Sequence, residues 1–582
     1  MSLYTSTLAD AFRLKLPGQA TLFDDPAQWG QDIVDLAAVS LGDSPSFIMP
    51  EANAAAAAPA SAVGAGAAQG LNADIATKTY GVTGKGITIG ILSDSFNLAG
   101  GYAADVARGD LNAGISILKE GPAGGHDEGR AMAELIHKIA PDAQIKFYSA
   151  FNGAADFANG ITTLAAAGCN VIVDDVTYLN EPFYQQGGVI SAAVSKVVAA
   201  GVDYFTSASN EGTNFYEAKF NGVKTALPGL SGSYYAENFG TSSAPVTMQS
   251  LTIAKGANTT LDLQWDQPFA SVSPAHASAN SLAMVLYDSN NHVVAYALTN
   301  DVGHDPDQIL QFTNTTGGTG FKLAIFSNGG SVLPGQFKYI VYGQGTTIND
   351  PNAGKGSGTI IGHEEVAAAN TVGAVAYSAT NRFGGSNTVE SFSSVGQGQF
   401  LYDANGNRLA TPVTPGGVDF LATDGAATSV FNPFYGTSAA APDAAAVAAL
   451  MLQANKSLAP SQVTAILDSS AIKAVGPANS TGAGLIQAPT AVNLALNTKG
   501  TLTTSPVTAL AQAGTAATPL ASTLNTLATD PTVANDFYAS LDLGGGIDAS
   551  NISALPAGGP ETLAVMNGMP NLLPFNPNPI FG

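Results

Sequence analysis

The chain has 582 residues, 45% of them apolar and only 11% charged, with 44 acidic against 21 basic side chains and a net charge of −23. That length and apolar content suffice for several domains around a large core. The acidic balance and the lack of any Lys/Arg-rich run exclude the electrostatic footprint of a nucleic-acid binder. Cys169, the only cysteine, excludes an intrachain disulfide and reads as a buried structural thiol after Ala-Ala-Gly. No run of about 18 apolar residues predicts a membrane span, and the first residues lack the form of a secretory signal.

Residues 1–48 are of mixed character and are expected to be an N-terminal segment, a candidate propeptide. The Ala/Pro/Gly-rich stretch over 49–71 reads as a linker. From 72 the punctuation changes. GKGITIGILSDSF (84–96) is a Gly-bounded, near-continuous apolar run ending in Asp94, as expected of a central parallel strand. Ala131, Leu135, Ile136 and Ile139 fall at helical spacing, and Pro141 ends that helix before the strand IKFYSA. A helix over GAADFANGITTLAAAG, the strand NVIVDDVTY, a helix over 189–201 and the strand VDYFTSASN follow. This alternation predicts βαβ units and a parallel sheet covered on both faces.

Over 226–350 the pattern changes to alternating strands, among them TTLDLQWD, SLAMVLYD and FKLAIFS, with DSNN as a hairpin turn. An antiparallel β-sandwich inserted in the α/β domain is expected there. The α/β halves are then 72–225 and 351–495, and 496–582 is a low-complexity tail. Gly436-Thr437-Ser438 opens an Ala-rich helix over Ala439–Gln453, with Pro442 expected in its first turn. Read alone, Ser438 is either an N-cap or a nucleophile exposed at the positive end of a buried helix.

Three stretches in this order, GKGITIGILSDSF, YFTSASNEG and YGTSAAAPDAAAVAAL, resemble those of the subtilisin-like serine peptidases over about half of the chain. The resemblance implies a three-layer α/β fold with a parallel sheet, Asp94 as a catalytic Asp, Asn210 as oxyanion donor and Ser438 as nucleophile. The departure lies between them. Where the family has His-Gly-Thr, this chain reads His126-Asp127-Glu128-Gly129-Arg130, so Glu128 takes the place of the general-base histidine. His126 comes two residues too early, His137 lies about 13 Å further along the helix, and His363 reads as structural or surface. Sedolisins, on a related fold, use Glu with Asp and Ser. Burial and Asp94 would raise the proton affinity of Glu128 enough for a carboxylate to serve as base, the Asp94–Glu128 pair sharing one proton, with an optimum at mildly acidic pH.

The strand over 171–177 carries two acids. One of Asp174 and Asp175 is expected to face the catalytic group or cleft; the other reading is a strand-end pair holding N–H groups or an ion. Ser209, where the family has Gly, is expected to crowd the oxyanion loop, and Asp443 to affect helix packing. No His/Cys cluster implies a metal or other cofactor, and calcium loops leave no trace. The leading function is a serine endopeptidase acting on protein substrates. A catalytically inactive scaffold binding protein or glycan is the alternative, and a carbohydrate site on the sandwich lined by Trp265, Tyr287 and Tyr296 is a third. The acidic, Lys-poor composition and the tail suggest a secreted protein exported without an N-terminal signal.

Overall fold

The computed structural model describes residues 62–502 and 580–581. The N-terminal segment 1–48 and most of the tail lie outside them. Seven parallel strands form the central sheet: β1 (Thr88–Ser93), β2 (Ser116–Lys119), β3 (Gln144–Ser149), β4 (Val171–Asp174), β6 (Asp203–Ser207), β7 (Asn370–Ala376) and β8 (Phe420–Asp424). Their order is β2-β3-β1-β4-β6-β7-β8. A short strand, β5 (Val176–Thr177), continues from β4 outside this sheet.

Strands β4 and β6 are buried throughout, which explains their unbroken apolar runs. Ile89, Ile91, Val171 and Val173 face a core with helices α4 (Glu128–Ile139) and α7 (Thr437–Ala454). Leu92, Ile172 and Tyr204 face a second core with α5 (Ala154–Ala166) and α6 (Val189–Ala199). Helices therefore cover both faces. α7 is buried from Thr437 to Leu452 and packs against both helices and strands. Its run of alanines permits that close approach on every side.

The expected linker over 49–71 is corrected at its C-terminal end. Ala65–Gly70 forms helix α1, ahead of α2 (Ala73–Tyr80) and α3 (Tyr102–Arg108), and Ala67 and Leu71 are fully buried in the first core. Alanine is small enough to pack and the best helix former, so an Ala-rich stretch beside a core folds onto it. Pro442 also differs from expectation. α7 begins at Thr437, so Pro442 lies inside the helix, and its missing N–H is the one that would bond the Ser438 carbonyl.

Between β6 and β7 in chain order lie two antiparallel sheets. One pairs Asp307–Thr313, Asn258–Trp265, Gln336–Tyr342 and Phe215–Lys219; the other is built around Asn280–Asp288 and Gly320–Gly330. Leu251, Leu263, Trp265, Leu286, Ile325 and Tyr339 from both sheets share one core. The strand Asp307–Thr313 was not anticipated from the sequence. On the other side of the four-stranded sheet, Phe215, Ile340 and Tyr342 pack with Leu179, Phe183 and Ile361, close to where β5 ends.

The carbohydrate lining proposed from the aromatics is overturned. Trp265 and Tyr287 are completely buried, leaving only Tyr296 exposed, at 43%. Trp265 Nε1 donates to Ser278 Oγ (3.1 Å) and the Tyr287 hydroxyl to the Pro228 carbonyl (3.0 Å), as buried aromatics with polar tips require.

Candidate active site

In sheets of this kind the crevice forms at the carboxyl ends of strands where the order reverses. Here the chain leaves β1 toward β2 and β3 on one side and returns to β4 on the other, so that point is the β1/β4 edge. Leu92 lies opposite Asp174, placing Asp94 and Asp175 beyond the ends of neighbouring strands. Asp94 is buried and accepts the N–H groups of Ser95, His126 and Glu128, the last at 2.9 Å. Burial raises its pKa, against the opposing effect of those three donors.

The turn before α4 explains why these residues follow one another. Asp127 adopts a left-handed conformation (φ 61°), and its carboxylate accepts the N–H groups of Leu98 (2.7 Å) and Ala99 (3.2 Å). Glu128 then opens the helix, with its N–H on Asp94. Gly129 lets the helix sit on the sheet: a Cβ there would lie 2.3 Å from the Phe147 ring and 2.9 Å from the Ser95 carbonyl oxygen. Arg130 is buried, pairs with Asp105 and Asp127, and donates to the carbonyls of Phe96 and Gly100. Asp105, Asp127 and Arg130 were not singled out from the sequence, although a buried Arg needs such partners. Gly129→Ala is expected to lower stability by about 2–3 kcal/mol and to reduce turnover by displacing Glu128. Urea unfolding and steady-state kinetics on one preparation check both.

Glu128 is 2% exposed, and its carboxyl group forms hydrogen bonds with Ser438 and with Asp175. Its pKa stands well above the ordinary value, first through burial and then through the charge of Asp94, with the two hydrogen bonds opposing. Asp175 is likewise raised by burial and then by Glu128 and Asp94. Ser93 Oγ donates to Asp175 Oδ2 (3.2 Å), whereas Oδ1 meets no ordinary donor. Two buried carboxyl groups in contact cannot both be charged without large cost.

Asp174 is on the other side of the strand. Its Oδ1 accepts the Val176 N–H (3.2 Å) and lies 3.2 Å from His363 Nε2, while His363 Nδ1 bonds Glu181 Oε2 at 2.5 Å. Burial opposes a charge on His363, but Glu181 and Asp174 outweigh it and raise the imidazole pKa well above its usual value. His363 is completely buried and anchors the β4–β5 turn from behind. His126 is exposed in the loop before α4, and His137 is half-buried near the other end of that helix.

Ser438 is the second residue of α7, behind Gly436 at φ 113°. The Asn210 carbonyl oxygen accepts the Thr437 N–H (3.0 Å) and hydroxyl (3.1 Å), tying the amide side chain to the residue before Ser438. That assignment directs the amide nitrogen away from Thr437. Ser209 has φ 72°, a conformation natural to glycine, and its hydroxyl bonds Glu211. The side chain does not crowd the loop; it turns back onto it. Asp443, buried within α7, accepts a hydrogen bond from Thr423 Oγ1 (2.7 Å), linking the helix to β8.

The site thus brings Asp94, Glu128, Asp175 and Ser438 together and leaves Asp174 behind the strand. Residues 109–484, more than half of the chain, match the family model described as the subtilase family, peptidase S8. The chain belongs to the subtilase family. It is a subtilisin-like serine peptidase, with protein as the class of substrate.

Similar solved structures include the CspB protease of Clostridium perfringens, at 12% identity and TM-score 0.46, covering 74% of this chain and 99% of that one. A lanthipeptide protease has 13% identity and TM-score 0.35, with 74% and 94% covered. MycP1 with its N-terminal propeptide removed has 15% identity and TM-score 0.32, with 73% and 96% covered. No curated protein matches in sequence. Within this subtilase, Glu128, Asn210 and Ser438 fall inside the matched residues, and Asp94 precedes them. Among the described residues no group of three or more His, Cys, Asp or Glu is arranged to hold a metal ion, and no helix is long and apolar enough to cross a membrane.

Proposed function

We propose that this subtilase is an endopeptidase whose serine is activated by a carboxylate. The contact between Glu128 and Ser438 carries the proposal. The Ser438 oxygen attacks the substrate carbonyl carbon while Glu128 takes the hydroxyl proton. The carbonyl oxygen becomes an oxyanion held by the Asn210 amide and a backbone N–H at the start of α7. Glu128 then returns the proton to the departing amine, leaving an acyl group on Ser438. Water, deprotonated by the same carboxylate, releases it. Asp94 orients the turn that presents Glu128, and Asp175 holds the shared proton that tempers its charge. The Ser, Glu and Asp set resembles that of sedolisins.

Activity should follow a bell-shaped pH profile. At low pH both carboxyl groups of the Glu128–Asp175 pair are protonated and no base is available. At high pH the shared proton is lost, and an oxyanion must form beside an extra negative charge. Because both pKa values are raised, the maximum is expected at mildly acidic pH. A fluorophosphonate probe should label the full chain in that range and fail to label Ser438→Ala. Equal labelling of both would remove Ser438 as the nucleophile; no labelling at any pH would favour an inactive binding scaffold. The antiparallel region over 226–350 is proposed to be an accessory sandwich. The protein is proposed to be exported, and its recovery from the medium should fall on deletion of residues 500–582.

A further inference from the structure

Strand β5 is an edge with one described partner. Its two residues pair antiparallel with Ile580–Phe581, here β9, with Ile580 opposite Thr177 and Phe581 opposite Val176. β5 directly follows Asp175, so a chain running from Ile580 to Phe581 heads toward the carboxyl groups of Asp175 and Glu128 and the hydroxyl of Ser438. The edge itself is held firmly from behind. Thr177 Oγ1 bonds Glu364, the Val176 N–H bonds Asp174, and His363 clamps Asp174 to Glu181. A rigid, two-residue edge beside a nucleophile suits an extended peptide, which binds by adding main-chain hydrogen bonds to a strand edge and needs little of its own sequence to do so.

We propose that Ile580–Phe581 is a tethered occupant of this peptide groove, competing in cis with extended protein substrates for the edge of β5. The proposal rests on reading the adjacent site as the peptidase centre. An occupant carried on the same chain needs only weak intrinsic affinity, because tethering turns its binding into an intramolecular step. Activity would then rise whenever that segment is drawn away or removed, with no change at the catalytic residues.

The test uses the full chain with Ile580→Pro and Phe581→Pro together, since proline cannot donate to a ladder. With a long protein substrate, the apparent KM is expected to fall by about 3–10-fold while kcat stays within about twofold, as for removal of a tethered competitor. An unchanged KM would overturn the proposal. A second measurement does not depend on catalysis. A fluorescent peptide of sequence NPNPIFG (576–582) is titrated into Ser438→Ala chains, with and without the two proline substitutions. Tighter binding to the proline form, by about tenfold or more, supports the proposal; equal binding, or none to either, overturns it. If no form of the protein hydrolyses substrate, the peptidase reading fails, while the titration still decides whether the groove is occupied in cis.

Discussion

Glu128→Gln is expected to lower kcat about 10⁶-fold, as much as Ser438→Ala, and the double variant should be no worse than either alone. In the proposed mechanism nucleophile and base act as one unit: without a proton acceptor at Ser438, the hydroxyl is as inert as a methyl group. Glutamine keeps the shape of the side chain but cannot take the proton. Burial and then Asp94 raise the pKa of Glu128, which lowers the cost of its uncharged form in the folded protein. Glutamine imitates that form, so thermal stability should not fall. The substitution therefore separates catalysis from folding, and a melting curve beside single-turnover kinetics reads both. Near-normal kcat in Glu128→Gln would show that another group takes the proton.

The second large effect is a melting temperature that falls as pH rises, the reverse of ordinary acid denaturation. Burial pushes Asp424 and Glu365 up to about 8, and Glu211 and Asp307 up to about 7. Asp424 illustrates the geometry: its Oδ2 accepts the Gly436 N–H (3.0 Å), and its Oδ1 has no partner. A carboxyl group whose folded pKa is raised binds its proton more tightly in the folded state. Its stabilising contribution is full below the unfolded pKa, near 4, and is lost as pH rises through the folded value. Each such group removes about 1.4 kcal/mol per pH unit across that window. Two of them lower stability by about 5 kcal/mol between pH 5 and 7, enough to shift the melting temperature by several degrees. Calorimetry from pH 5 to 8 checks this, and Asp424→Asn should flatten the slope. A melting temperature that climbs over that range would contradict it.

The parallel strands, the buried Ala-rich helix and the order Asp94, Glu128, Asn210, Ser438 were legible in the residues. Strands buried on both faces must be apolar throughout, and a turn of small residues must precede a serine at a helix mouth. The position of Glu128 at the start of its helix was equally plain, because Gly129 marks the register of the turn. Periodicity missed what depends on particular neighbours. Trp265 and Tyr287 looked able to line a surface site because alternation says which residues share a face, not which face meets a second sheet. Ala67 and Ala68 looked like linker because composition cannot tell a flexible stretch from one with a core beside it.

Local chemistry, written in the chain, thus determined the sheet and the helix carrying Ser438. Only tertiary structure decided between Asp174 and Asp175, because adjacent residues in a strand point to opposite sides. Which one met Glu128 depended on helix α4 lying over that side, and which met His363 depended on a segment almost two hundred residues away. The pairing of β5 with Ile580–Phe581 is of the same kind, since an edge accepts any extended backbone that the fold brings to it.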